Sequence, residues 1–126
     1  MTEENFQKNV LGEKLENCSN EPLTGWYRDG CCNTDKNDLG IHTVCAKVTK
    51  KFLDWSKSAG NDLITPHLEY NFPGLKEGDC WCVCAGTYAE SIKAGSACKI
   101  FLKKTNLKTL EIIPLEELKK YAIDLS

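Results

Sequence analysis

The sequence predicts an α+β fold: a small, mostly antiparallel sheet covered on one side by two or three helices, with a long irregular N-terminal arm. Three observations carry that class. Two short stretches alternate strictly, HTVCAKV at 42–48 and CWCVCA at 80–85, which is the period of a strand. Each is followed by a segment that opens on a helix cap and closes on a glycine. Residues 1–41 hold many Gly, Asn, Asp and Pro residues and no sustained period.

The elements follow in order. The arm has apolar anchors at Val10, Leu11, Leu15, Leu23, Trp26 and Tyr27. In the first strand, His42, Val44, Ala46 and Val48 point one way and Thr43, Cys45 and Lys47 the other. Thr49 caps a helix, KKFLDWSKSAG, whose inner side is Phe52, Leu53, Trp55 and Ala59 and whose stop is Gly60. A continuous helix from residue 43 is the alternative. Residues 60–79 carry Pro66, Pro73 and Gly74 and read as a long loop, a length that usually marks function or cover. In CWCVCA, Cys80, Cys82 and Cys84 share one face and Trp81, Val83 and Ala85 the other, so both faces suit burial. Thr87 caps a short helix, YAESIKA, before Gly95. CKIFLK and TLEII read as two more strands. Pro114 opens a last helix with Leu115, Leu118, Ala122 and Leu125 inward. The whole, 1–126, reads as one domain, with the arm at 1–41 packed on an α+β core at 42–126.

Composition excludes some functions. A net charge of -2 and a pI near 5.7 leave no basic face for phosphates, so no nucleic acid is expected as a partner. No apolar run approaches the roughly 20 residues of a membrane span, so no membrane is expected either. Residues 1–10, MTEENFQKNV, lack the basic start and apolar run of a secretory signal, and a cytoplasmic location is expected. There is no phosphate-cradling glycine loop and no G-x-S-x-G elbow. Nothing in the sequence sets the oligomeric state.

The eight cysteines then read as free thiols. The cytosol keeps thiols reduced. Cys31 and Cys32 are adjacent, and residues i and i+2 on a strand lie at about 6.5–7 Å, at the limit for a bridge.

The ordered segments NVLG, TGWYRDGCCNT, HTVCA, GNDL, FPGLK and WC resemble a mainly bacterial family, domain of unknown function number 2237, from Asn9 to Ala122. The resemblance implies a two-layer α+β fold and brings no reaction, substrate or cofactor. The family pattern matches this chain at Arg28, Asp29, Cys31, Cys32, His42, Cys45, Asn61, Asp62, Trp81, Cys82 and Cys84. Cys80 and Cys98 depart from it, and Asn106 stands where a histidine is frequent.

Two irregular segments concentrate polar and thiol residues, RDGCC at 28–32 and GNDL at 60–63. A thiolate is the reactive form of cysteine, and nearby cations favour it. Cys31 or Cys32 is therefore the candidate nucleophile. Arg28 is the cation beside it, Asp29 the orienting carboxylate and His42 the acid or base. Trp26, Asn61, Asp62 and Trp81 are candidates to bind a small polar molecule. A structural reading stands beside each: Arg28 and Asp29 tie a turn around Gly30, Asn61 and Asp62 organise a loop, and the thiols pack as small hydrophobes. No cofactor is expected. The metal alternative is structural zinc on Cys31, Cys45, Cys82 and Cys84, although no C-x2-C knuckle is present. The functional reading is a polar, thiol-lined ligand or reaction site, against a non-enzymatic binding or adaptor module.

Overall fold

The computed structural model describes residues 7–125. Three strands form an antiparallel sheet in the order β2-β1-β3, with β1 at His42–Lys47, β2 at Cys80–Cys84 and β3 at Lys99–Ile100. Helix α1 spans Lys50–Ser58, α2 Ala85–Lys93 and α3 Leu115–Lys119. The predicted α+β class is what the chain adopts.

Alternation decides where each strand residue goes. Val44, Ala46, Trp81, Val83 and Ile100 enter one apolar core with Phe52 and Leu53 of α1, Tyr88 of α2 and Leu118 of α3. On the other face, Cys45 and Cys82 meet Cys18 and Cys32 of the arm. The sheet is thus sandwiched between helices and arm. The Thr49 hydroxyl caps α1 by accepting from the Phe52 N–H at 3.1 Å, as its sequence predicts.

The arm is held by polar contacts as well as sulfur. Buried Asn9 accepts N–H groups of Leu11 and Glu13 and donates to the Lys103 carbonyl. The Thr24 hydroxyl accepts the Cys82 N–H at 2.8 Å, which satisfies a donor on edge strand β2. The Thr105 hydroxyl does the same for Cys45 at 3.1 Å.

Several expectations are corrected. TLEII is no strand: Leu107–Glu111 is a 3-10 turn, capped when the Asn106 side chain accepts from the Lys108 N–H. CKIFLK pairs only at Lys99–Ile100 and then turns into a 3-10 segment, Leu102–Lys104. The Phe101 N–H still donates to the Cys45 carbonyl at 3.0 Å, but the Leu102 and Lys103 N–H groups turn to the Asp124 carboxylate, so β propensity alone does not extend the strand. Helix α2 starts at Ala85 rather than behind Thr87, with Cys84 at its N-cap.

The largest correction concerns the thiols. Cys18–Cys45 and Cys32–Cys82 are disulfides, and only Cys31, Cys80, Cys84 and Cys98 are free. The exclusion of bridges within a segment holds. The bridges form between arm and sheet, across 27 and 50 residues of sequence, where spacing carries no information. No helix among the described residues is long and apolar enough to cross a membrane.

Candidate functional site

The free thiol set against an imidazole is Cys84. It is the register partner of His42 across β1 and β2, half-buried at the last residue of β2. It also occupies the N-cap position of the nine-residue helix α2, with no side-chain hydrogen bond to the helix.

His42 is built into place by the chain before it. Ile41 has φ 51, a left-handed conformation that a β-branched residue rarely accepts. The register then slips between His42 and Val44. Strain of this kind persists where neighbours over-determine it, and it clusters at working sites. Here the Ile41 carbonyl accepts from the N–H groups of both Thr43 and Ala85, each at 2.9 Å.

Asp38 orients the ring. Its Oδ1 lies 2.6 Å from His42 Nδ1, and its Oδ2 accepts the His42 main-chain N–H and the Thr34 hydroxyl at 2.9 Å. Burial opposes the charge on Asp38, but those donors outweigh it and hold the carboxyl below its ordinary value. His42 is pushed up to about 9, first by its hydrogen bond with the Cys84 sulfur, against partial burial, and then by Asp38. At neutral pH the site therefore holds an imidazolium between a carboxylate and a sulfur. Trp26 covers it, stacked at 5.9 Å between ring centroids.

Gly40 makes the approach feasible. A Cβ there would lie 2.8 Å from His42 Cε1 and 3.1 Å from Cys84 Sγ. Gly40→Ala is expected to push the ring off the sulfur and slow Cys84 alkylation by about tenfold, a rise of roughly 1.4 kcal/mol in the barrier. Pseudo-first-order iodoacetamide kinetics check this, and an unchanged rate would show that the ring does not set the reactivity.

A cleft leads to the sulfur. Its narrow end, about 70 Å³, is lined by Cys84, His42, Asn61 and Trp81 among others. Its outer part, about 260 Å³, shares His42, Leu63, Trp81 and Cys82 and adds Arg28, Asp62, His67 and Tyr70. The Arg28 guanidinium sits 5.1 Å from the Trp81 ring centroid and donates to the Gly25 carbonyl at 2.8 Å. Two roomier grooves, about 490 and about 500 Å³, carry neither thiol nor histidine.

The sequence candidates separate here. Arg28, His42, Asn61 and Trp81 line the cleft and Trp26 roofs His42. Cys32 is fully buried and bonded to Cys82, so it is no free nucleophile. Burial, then the charge of Asp29, raises the Cys31 thiol above its ordinary value, and Arg28 turns to Trp81 instead. Asp29 orders its own turn by accepting from the Cys31 N–H and the Asn33 amide, around Gly30 at φ 89. Asp62 accepts from Thr65 and Ile64, which holds it at about 2 and spends its carboxylate on the loop. The zinc set of Cys31, Cys45, Cys82 and Cys84 is not brought together: Cys45 and Cys82 lie in the disulfide cluster, which Cys18 and Cys32 complete.

Asp38 and Gly40 carry no sequence expectation, and Cys84 carries one only as a metal ligand. The spacing Asp38-x3-His42 is a readable signal for a carboxylate–imidazole pair. Starting α2 behind Thr87 hides the position of Cys84 at a helix N-terminus.

The chain matches a family model described as an uncharacterised protein conserved in bacteria, domain of unknown function 2237, over residues 8–122. No curated protein matches it.

Proposed function

For a chain that belongs to this bacterial family, we propose nucleophilic thiol chemistry on a small anionic molecule, with Cys84 as nucleophile. The observation that carries the reading is the line Cys84–His42–Asp38, in which a buried carboxylate orients an imidazolium against a sulfur. It has the form of nucleophile, proton-carrying imidazole and orienting carboxylate. In this reading the Cys84 proton already rests on His42, so the sulfur bonds to an electrophilic carbon as its bond to the leaving group breaks, and His42 gives that proton to the departing group. Water then releases the product from the sulfur, with His42 taking up a proton. Asp38 positions the ring throughout. Arg28 at the mouth supplies the cation for an anionic substrate group, and Trp81 the flat apolar wall beneath it.

A cytoplasmic setting belongs to the same reading. Cys31, Cys80 and Cys84 are half-exposed and unpaired, and reducing surroundings keep such thiols free.

Iodoacetamide labelling of the oxidised, folded protein at pH 7, mapped by peptide mass, tests the assignment. Cys84 is expected to label first. Burial raises Cys31 and Cys80, and it pushes buried Cys98 up to about 12. If Cys84 labels no faster than Cys31, the site is no nucleophile, and a binding module with packed thiols takes its place.

A further inference from the structure

The second cysteine group lies under the arm. Cys18, Cys32, Cys45 and Cys82 come from four separate stretches of chain and are 5%, 0%, 0% and 2% exposed. The sulfurs of Cys18, Cys32 and Cys82 lie within 4.8 Å of one another, and the fourth is bonded to Cys18. Cys45 and Cys82 are direct partners across the sheet. The arm curls so that the Cys18 N–H donates to the Gly30 carbonyl at 2.7 Å, which sets Cys18 beside Cys32.

We propose that these four sulfurs form a tetrathiolate metal site in the reduced protein, taking one zinc-class ion, and that the two disulfides are its oxidised form. A tetrahedral ion with bonds of about 2.3 Å to sulfur needs sulfurs about 3.8 Å apart. Reduction lets the bonded pairs separate toward that spacing while the neighbouring sulfurs already lie within reach. An all-sulfur set selects soft or borderline ions over magnesium or calcium. The fold also needs such a clasp. Over residues 17–34 the buried apolar side chains are Cys18 and Cys32 alone, while Leu23, Trp26 and Tyr27 are 45%, 41% and 49% exposed. With both bridges reduced, a bound ion would add to the Thr24 hydrogen bond and the Arg28–Trp81 contact in fastening this stretch to the sheet.

The chemistry balances. A phosphine gives two electrons to each disulfide, takes one oxygen from water as phosphine oxide and leaves two thiols. One divalent ion then displaces four thiol protons. In reverse, two hydrogen peroxide molecules and four protons convert the tetrathiolate to two disulfides, four waters and the free ion.

The test starts from protein reduced with a phosphine under inert gas and titrated with cobalt(II), then zinc. The expected result is visible absorption of tetrahedral thiolate-bound cobalt that saturates at one equivalent and is displaced by zinc. In the zinc-loaded protein, iodoacetamide is expected to label Cys31 and Cys84 and to spare Cys18, Cys32, Cys45 and Cys82. Peroxide is expected to release one zinc ion to a chromophoric chelator. Cys18→Ser removes an anchor as well as a ligand. The deciding variant is therefore Cys31→Ser/Cys80→Ser/Cys84→Ser, which leaves the four intact and is expected to keep the full cobalt spectrum. Absent bands, loss of the bands in that variant, or equal labelling of the four with zinc present would each overturn the proposal.

Discussion

Replacing His42 with glutamine is expected to slow the alkylation of Cys84 at pH 7 by about tenfold to a hundredfold, with Cys31 unaffected. His42 presents a positive charge to the sulfur because Asp38 and Cys84 together push it up to about 9. Glutamine retains bulk and hydrogen-bonding capacity but carries no charge. Asp38→Asn is expected to act in the same direction through the ring, since it removes the charge 2.6 Å from Nδ1. Its signature is a His42 ring titration, followed by NMR, that falls below about 9, which a purely structural role would not move. Equal rates for the native protein and His42→Gln would sink the nucleophile assignment outright.

The same group makes stability depend on pH. The folded value of about 9 lies above the ordinary 6.5, so the folded state binds the proton more tightly than the unfolded one. The contribution is fully present below about pH 6.5 and is lost as pH rises through about 9. Urea midpoints are expected to fall across that window in the native protein and to fall less in His42→Gln.

The other large effect is on stability. Removing the Cys32–Cys82 bridge as Cys32→Ala/Cys82→Ala is expected to cost about 4 kcal/mol under oxidising conditions, because it closes 50 residues of chain. Cys18→Ala/Cys45→Ala, across 27 residues, is expected to cost slightly less, about 3.5 kcal/mol. Small apolar alanines suit this packed environment, so the loss reports chiefly on the freed chain. Urea unfolding of each double variant measures it. A loss under about 1 kcal/mol would mean that Asn9, Thr24 and the remaining polar contacts hold the arm by themselves.

Much of this was legible from local pattern. Alternation in HTVCAKV and CWCVCA specifies both strands and the two faces of the sheet, because side chains on a strand point to opposite sides in turn. The Thr49 cap and Gly60 stop bound α1 through main-chain donors and acceptors within a few residues. Arg28 and Asn61 were visible in irregular segments and His42 and Trp81 on the two alternating strands, and they do line one cleft.

What the sequence determined by itself is therefore what depends on near neighbours: the class of fold, the strands and caps, and the pool of reactive residues. The tertiary structure decided which thiol meets which partner. Cys31 and Cys32 stand together in the chain, yet one lies beside Asp29 and the other is bonded to Cys82, fifty positions away. Cys84 meets His42 only because β2 pairs with β1 in one register, and because Gly40 leaves room for ring and sulfur. Pairing of this kind rests on how the arm and strands close over one another. That closure is set by the burial and hydrogen bonding of the whole chain, and no spacing within a single segment encodes it.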